Sequence, residues 1–136
     1  MGVRQIGARV QRVEDDNLIR GNGKYLDDIQ LPNMTHAAFL RSSMAHANIS
    51  ITDISQAQKL PCVYAVFTYD SLPSSLASKT QLQTYPAPII KQDACPDLLA
   101  SKEVAHVGQA IAMVVASSRH IAEDACELIQ INYSPL

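Results

Sequence analysis

The stretch Ala110-Ile111-Ala112-Met113-Val114-Val115-Ala116 decides the fold, because it is a short and almost entirely apolar run. Such a run is typical of a strand that is covered on both faces. Ser117-Ser118 follows it and can cap a helix, since serine side chains accept hydrogen bonds from the first backbone N–H groups of a helix. The sequence therefore predicts a buried central strand that leads into a helix.

The predicted helix after Ser118 is amphipathic. The side chains of its apolar face are those of Ile121, Ala122, Ala125, Cys126 and Ile129. The side chains of its polar face are those of His120, Glu123, Asp124 and Glu127. We expect the apolar face to pack on the sheet, and residues 128–133 then alternate as a final strand.

Three more strands and a second helix are predicted upstream. Residues 34–42 are mostly apolar, Ile49 and Ile51 alternate with polar neighbours, and residues 63–68 are β-branched and aromatic. Asp53-Ile54-Ser55 offers an N-cap for a short helix over residues 56–60, which Pro61 ends. This element order indicates an α+β fold, a mixed β-sheet with two helices.

Two segments lack a periodic pattern. Residues 1–33 form an irregular, polar N-terminal arm, and residues 69–101 form a long loop that four prolines interrupt, Pro73, Pro86, Pro88 and Pro96. The loop also carries many apolar side chains, Leu72, Leu76, Leu82, Tyr85, Ile89, Ile90, Leu98 and Leu99. A long irregular segment usually contacts another surface or has a function. We therefore expect part of the loop to be an interface, with self-association of the isolated chain as one outcome; the alternative is that its leucines complete the local core.

Composition limits the classes of function. The chain has 136 residues, which fits a single domain over residues 1–136, and its net charge of -2 favours neither nucleic acid nor an anionic membrane as a partner. No apolar run is long enough for a membrane span, and the N-terminus lacks the apolar core of a secretory signal. A cytoplasmic location is the expectation from sequence.

Potential chemical groups are scattered. Cys62, Cys95 and Cys126 lack the paired spacing of a zinc site or a disulfide framework. The four histidines, His36, His46, His106 and His120, lack the spacing of a metal-binding helix, and we interpret them as packing, turn or solvent-exposed residues.

The acidic and glycine-rich segments are equally unspecific. Glu14, Asp15 and Asp16 form one acidic group and Asp27-Asp28 form a pair, which we interpret as turn residues and solvated charges. Gly21-Asn22-Gly23 is too short for a phosphate-binding loop and follows no clear strand. The sequence therefore predicts no catalytic, cofactor-binding or metal-binding residue in this chain.

Several segments in a fixed order carry a resemblance. They begin with Ile6-Gly7-Ala8-Arg9-Val10, Arg12-Val13-Glu14-Asp15 and Gly21-Asn22-Gly23-Lys24-Tyr25-Leu26-Asp27-Asp28-Ile29. They continue with Arg41-Ser42, Ala45-His46-Ala47-Asn48-Ile49, Leu60-Pro61-Cys62-Val63 and Val107-Gly108-Gln109. They close with Val114-Val115-Ala116, Ala122-Glu123-Asp124-Ala125 and Asn132-Tyr133-Ser134-Pro135-Leu136. Together they are similar to the N-terminus of molybdenum hydroxylase large subunits, the family of xanthine dehydrogenase, aldehyde oxidase and aerobic carbon monoxide dehydrogenase, whose carbon monoxide dehydrogenase branch looks closest.

The resemblance implies an α/β-hammerhead domain that is inactive by itself. It implies a parent oxidoreductase that hydroxylates with water as the oxygen source or oxidises carbon monoxide. The molybdopterin (Mo) cofactor belongs to downstream domains of the large subunit, and the iron–sulfur and flavin groups to other domains or subunits, which are the implied partners. The chain is then an excised piece or a truncated gene, and whether it counts as an enzyme stays open. A free-standing interaction module, or a split subunit that docks on a separately encoded catalytic part, is the alternative.

The sequence departs from the family pattern at two positions. The family usually has glycine where Cys62 stands, at a place suited to positive φ, so either the helix exit differs here or Cys62 is strained. The family often has proline where Ser43 stands, so we expect a looser turn there.

Overall fold

The N-terminal arm contains more regular structure than the sequence predicts. A computed structural model describes residues 12–77 and 97–136, and the chain divides into two compact units, residues 1–34 and 35–136. Within the first unit, helix α1 spans Asp15–Ile19 and a 3-10 helix spans Leu26–Asp28. The prediction of an irregular arm is wrong at these two places. Helices this short have no apolar periodicity to detect; acidic residues in the first turn of α1 favour it through the helix dipole.

The glycine-rich segment of the arm has a packing role. A Cβ on Gly23 would lie 2.6 Å from Cδ2 of Leu18, and Gly21 has φ +71°.

Asn33 follows Pro32 with φ +61°, and the Met34 N–H donates to the Leu31 carbonyl at 3.2 Å. Proline followed by a residue with positive φ is the signature of a type II turn, so residues 31–34 form such a turn just before the first strand.

The second unit contains a three-stranded antiparallel sheet in the order β1-β5-β3. Strand β1 spans His36–Arg41, β2 Ala47–Asp53, helix α2 Ser55–Lys59 and β3 Val63–Thr68. After helix α3 (Ser74–Ala77) come β4 (Glu103–Val104), β5 (Ala110–Ala116), helix α4 (Arg119–Glu127) and β6 (Gln130–Pro135). Strand β5 lies in the middle of its sheet, as its apolar run predicts, and Ile111, Ala112, Val114 and Ala116 are fully buried.

A second antiparallel sheet has the order β4-β2-β6. The six strands of the described residues therefore form two small sheets rather than one. Alternating residues such as Ile49 and Ile51 identify a half-buried strand but not its partner, which here is β6, about eighty residues further along the chain. The predicted hammerhead class, a mixed fold of strands and few helices, is confirmed.

Two buried clusters organise the second unit. The first lies between the β1-β5-β3 sheet and helices α2 and α4, and contains Ala57, Val66, Val114, Ala122 and Ala125 among others. The second surrounds Ile111 and includes Ala47, Ile49, Ala100 and Val104. Ile51 and Ile131 pack against both clusters, so the two sheets share one continuous apolar interior.

Helix α4 confirms its predicted face. Ala122, Ala125 and Cys126 are buried, Ile129 is buried just beyond the helix, and the polar face is exposed. The Ser118 hydroxyl accepts a hydrogen bond from the Ile121 N–H at 3.3 Å, which is the predicted N-cap.

The exit from α2 keeps the geometry that suits glycine. The Val63 N–H donates to the Leu60 carbonyl at 3.2 Å across Pro61-Cys62, and Cys62 has φ +68°. Of the two expectations for this departure, strain at Cys62 is therefore the one that is confirmed.

The predicted loop over residues 69–101 is described only at its two ends. A 3-10 helix spans Tyr69–Ser71, where the Ser71 hydroxyl accepts from the Thr68 N–H at 2.7 Å, and α3 follows; the irregular reading of this end is therefore wrong. At the other end Leu99 is buried, whereas Leu98 is 39% exposed and Leu76 41%. The expectations for Leu82, Tyr85, Ile89 and Ile90 fall outside the described residues and stay predictions.

Among the described residues, no helix is both long enough and apolar enough to cross a membrane.

Candidate functional site

Two segments that carry the family resemblance meet at one end of the β1-β5-β3 sheet. The Ser42 N–H donates to the Gln109 carbonyl at 2.9 Å, and the Gly108 N–H donates to the Ser42 carbonyl at 2.8 Å. The Arg41 guanidinium donates to the Gly108 carbonyl at 2.9 Å. Arg41-Ser42 and Val107-Gly108-Gln109, about 67 residues apart, therefore form one structural element.

Ser42 anchors this element. It is the buried polar residue of the described chain, with 3% exposure, and its hydroxyl accepts from the Met44 N–H and donates to the Met44 carbonyl. These bonds satisfy a buried hydroxyl that would otherwise be costly. They also hold the turn that contains Ser43 closed from both sides. The hydrogen bonds of Ser42 and Met44 therefore give no sign of the looser turn that we expected there.

Gly108 meets a backbone requirement. Its φ is +87°, a conformation that residues with a Cβ rarely adopt, while no heavy atom lies within 4 Å of where a Cβ would stand. Glycine is thus required by conformation rather than by space.

The turn around Gly108 is further tied by its neighbours. The Gln109 side-chain oxygen accepts from the Ala105 N–H at 2.8 Å, and the Gln109 N–H donates to the His106 carbonyl at 3.3 Å. Val107 lies at the tip of this turn and is 63% exposed. The turn therefore holds an apolar side chain in contact with solvent.

An exposed contact between two side chains lies at the start of the second sheet. Nε2 of His46 is 2.6 Å from Oε1 of Glu103, and both side chains are about 53% exposed. The pair links the loop after β1 to β4, and exposed pairs of this kind contribute roughly 0–1 kcal/mol. His46 is therefore a turn residue with a structural partner that the sequence did not reveal.

The other candidate groups stay apart. His36 is half-buried in β1, while His106 and His120 are exposed, as are most of the acidic residues of the arm. Asp28 accepts from the Tyr25 N–H at 2.9 Å and so caps a 3-10 helix. Burial raises the pKa of the Cys126 thiol, and Glu123 adds to that rise, so Cys126 is an unreactive core residue.

One carboxylate has a lowered pKa for a structural reason. The Ser55 N–H donates to Oδ1 of Asp53 at 2.8 Å and the Ser55 hydroxyl bonds Oδ2 at 3.1 Å. These bonds, the backbone one foremost, lower the pKa of Asp53 below its ordinary value. They fix the entry into α2, whose N-cap position is Ile54 and has no capping side chain, so the polar groups of the predicted cap at residues 53–55 bond each other on either side of that position.

No donor set for a metal ion held by protein side chains is present among residues 12–77 and 97–136. In that part of the chain, no group of three or more His, Cys, Asp or Glu side chains is close enough to hold a metal ion. The prediction that this chain contributes no site residue stays a prediction, because it also concerns residues outside the described ranges.

Comparisons with known proteins all point to one group. Residues 20–136 match the family described as "Aldehyde oxidase and xanthine dehydrogenase, a/b hammerhead domain". The carbon monoxide dehydrogenase large chain of Afipia carboxidovorans is 39% identical over 131 residues, which is 96% of this chain and 15% of that protein. The xanthine dehydrogenase molybdenum-binding subunit of Escherichia coli O157:H7 is 33% identical and is aligned over 92% of this chain and 16% of its own length.

A solved structure shows the same likeness in three dimensions. Quinoline 2-oxidoreductase from Pseudomonas putida 86 superposes with a TM-score of 0.76 and 40% identity, over 93% of this chain and 16% of the other. The chain thus spans about one sixth of the length of each of these three relatives.

Proposed function

Because this chain belongs to the a/b hammerhead domain family of aldehyde oxidase and xanthine dehydrogenase, we propose that it is the N-terminal structural domain of a molybdopterin-dependent oxidoreductase large subunit and is inactive in isolation. One observation carries the proposal. The chain aligns over 96% of its length with only 15% of a relative, so most of what such an enzyme needs has no counterpart here. We treat residues 1–136 as one such domain with an N-terminal arm.

The chemistry of the described residues supports a structural role. Their best-connected polar groups, Arg41, Ser42 and Gln109, are engaged in joining backbone segments rather than arranged around a substrate. A catalytic site would need a nucleophile and base, or a metal set, within reach of each other. The molybdenum cofactor is therefore proposed to bind elsewhere in the full large subunit, and no step of its chemistry is assigned to this chain.

The names of the relatives support the same role. They refer to carbon monoxide, xanthine and quinoline, three very different substrates, yet the matched segment is 33–40% identical to this chain in each. A segment that selected the substrate would differ most where substrates differ. We therefore propose that the reacting group is chosen by other domains, and that the partners of this domain are the molybdopterin-binding part of the large subunit and the iron–sulfur and flavin subunits.

The test compares the isolated chain with a chimeric enzyme. The purified chain should fold, as judged by circular dichroism, and should contain no stoichiometric amount of molybdenum, iron or flavin. It should not oxidise carbon monoxide, quinoline or xanthine with an artificial electron acceptor. The same chain, exchanged for the aligned segment of the Afipia carboxidovorans large chain, should yield a folded chimera. Stoichiometric metal retained after chelation, or turnover by the isolated chain, would contradict the proposal.

A free-standing module or a split subunit is the second candidate. The observation that favours it is the exposure of apolar side chains such as Phe39 and Val107, which suits an exchangeable partner as well as a permanent one. The downstream reading frame discriminates between the candidates. A frame that encodes the remainder of a large subunit supports a split enzyme, whereas its absence, together with failure of the chimera, supports the module.

A further inference from the structure

One asparagine of the chain is followed by glycine. Asn22 and Gly23 lie between α1 and the 3-10 helix of the N-terminal arm. In an asparagine–glycine pair, the backbone nitrogen of the glycine can attack the side-chain carbonyl of the asparagine with little obstruction, because glycine has no Cβ. Each of the other four asparagines precedes a residue with a bulky side chain: Leu18, Met34, Ile49 and Tyr133. The sequence therefore singles out Asn22 for a reaction with its own backbone.

The fold leaves both reacting groups of this pair available. Within the described residues, the Gly23 N–H donates to no acceptor, and the exposed side chain of Asn22 has no hydrogen-bond partner. The backbone just before them is held, since the Asn22 N–H donates to the Asn17 carbonyl at 2.8 Å and the Gly21 N–H to the Leu18 carbonyl at 3.1 Å. No hydrogen bond of the described chain therefore has to break before the Gly23 nitrogen can attack.

The other asparagines are held back by the hydrogen bonds of the fold. The N–H groups that follow three of them, those of Leu18, Met34 and Ile49, donate to backbone carbonyls at 3.0, 3.2 and 2.8 Å. The fourth, Asn132, lies within β6, whose pairing with β2 keeps the backbone extended. Attack at these positions requires a hydrogen bond or a strand pairing to be lost first, which costs free energy. The structure thus adds to the contrast that the sequence already indicates.

We propose that Asn22 is a site of spontaneous deamidation in the folded domain. The Gly23 nitrogen bonds to Cγ of Asn22 and closes a succinimide ring, while the bond from Cγ to Nδ2 breaks and Nδ2 leaves as ammonia with the proton from the Gly23 N–H. Water then opens the ring. Cleavage of the new bond gives aspartate, and cleavage of the original peptide bond gives isoaspartate. Solvent water is the co-reactant, and the proposal does not depend on the proposed function.

The isoaspartate product alters the packing of the arm. Gly23 lies so close to Leu18 that a Cβ on it would be 2.6 Å from Cδ2 of that side chain. Isoaspartate adds a methylene group to the backbone and therefore displaces Gly23 from this contact. Each conversion also changes the net charge from -2 to a more negative value and places the new carboxylate in the hollow that Glu14 lines with Asn22 and Gly23. Like charges repel there, so the modified turn is loosened.

Ageing of the purified chain at mildly alkaline pH tests the proposal. Samples are taken over time, and circular dichroism verifies that the chain stays folded. Isoaspartate is located by peptide mass spectrometry with electron-transfer fragmentation, and is counted by methyl transfer from S-adenosylmethionine with a protein isoaspartate methyltransferase. We expect Asn22 to convert at least about tenfold faster than any other asparagine, a ratio that corresponds to a barrier difference of about 1.4 kcal/mol. More acidic species should appear at the same rate in isoelectric focusing.

Matched variants identify the attacking atom. Asn22→Gln should abolish conversion at this position, because glutamine would have to close a larger ring. Gly23→Ala should slow conversion at least about tenfold, but its Cβ also meets Leu18. Leu18→Ala removes that collision and should leave conversion fast, whereas the double variant Leu18→Ala/Gly23→Ala should be as slow as Gly23→Ala. The double variant therefore separates obstruction of the attack from disturbed packing.

Three results would overturn the proposal. The first is conversion at Asn22 that is no faster than at the other asparagines. The second is isoaspartate that forms only after the chain is unfolded in urea, because the fold would then protect the amide. The third is aspartate without isoaspartate, or unchanged conversion in the double variant, since either would mean that water and not the Gly23 nitrogen attacks the side chain.

Discussion

Replacing Cys62 by glycine should stabilise the domain. Cys62 has φ +68° in the turn between α2 and β3, a conformation in which a Cβ crowds the backbone. Two backbone hydrogen bonds hold the turn in this conformation, and the first runs from the Val63 N–H to the Leu60 carbonyl. The Ser117 N–H donates to the Cys62 carbonyl at 3.0 Å, which fastens the turn to the start of α4.

The magnitude follows from two opposing terms. The left-handed conformation costs a residue with a Cβ roughly 1–2 kcal/mol. The greater freedom of glycine in the unfolded chain offsets roughly 0.4–1 kcal/mol of the relief. The net gain in unfolding free energy is about 0.5–1 kcal/mol, and for a chain of 136 residues this raises Tm by about 2–3 °C.

Differential scanning calorimetry of the wild type and three variants tests this reasoning. Cys62→Gly should melt above the wild type, whereas Cys62→Ala, which removes the thiol but keeps the Cβ, should melt near it. Cys62→Val should melt lower, because a β-branched side chain is least tolerated at positive φ. If Cys62→Ala raised Tm as much as Cys62→Gly, the thiol and not the backbone would be the cause, and the strain argument would be wrong.

Three further predictions concern α4 and α2. Ala125→Asp should lower the unfolding free energy by roughly 3 kcal/mol or more in urea denaturation, because Ala125 is fully buried in the first cluster, whereas the exposed neighbour Asp124→Ala should change it by under about 0.5 kcal/mol. Ser118→Ala should cost about 1 kcal/mol by the same measurement, and Ser118→Asp, which can also accept from the Ile121 N–H, should restore most of it. Because the pKa of Asp53 is lowered in the folded domain, its ionised carboxylate stabilises the fold fully at pH values above the ordinary pKa of 3.8, and this stabilisation is lost as the pH falls through the pKa of the folded state. Asp53→Asn should therefore weaken the dependence of Tm on pH in that acid range and leave the dependence near neutrality unchanged.

The elements that local patterns determine were predictable. The continuous apolar run of β5 indicates by itself that both faces of the strand are buried, and the apolar stripe of α4 indicates which face of the helix packs on the sheet. The pairing of strands was not predictable in the same way. Strand β2 pairs with β6, and nothing in Ile49 or Ile51 distinguishes that partner from any other strand with an alternating pattern. Helix α1 was missed because five residues are too few to show a period.

The candidate site shows the same division between local and distant information. Strain at Cys62 was foreseeable from the resemblance, which implies glycine at the position where this chain has a residue with a Cβ, whereas the positive φ of Gly108 was not predicted. The contact between Arg41 and Gly108 joins residues 67 positions apart, so no local pattern predicts it. Val107 was missed for a related reason: an apolar residue next to a strand is ordinarily read as part of the core, and only the turn geometry shows it to be exposed.

The persistence of the turn at Cys62 explains why the family likeness can survive such substitutions. The conformation there is imposed by two backbone hydrogen bonds, and Ser117, the donor of one of them, precedes the N-cap Ser118 of α4. A change in the turn would therefore disturb the start of the helix that covers the sheet, which would cost more than the strain of a single residue. Gly108 is held in the same manner, between Ser42 and Arg41. Two motifs that are far apart in the sequence, those at Cys62 and Gly108, thus have a common basis, since each marks a position with positive φ that backbone hydrogen bonds between distant segments hold in place.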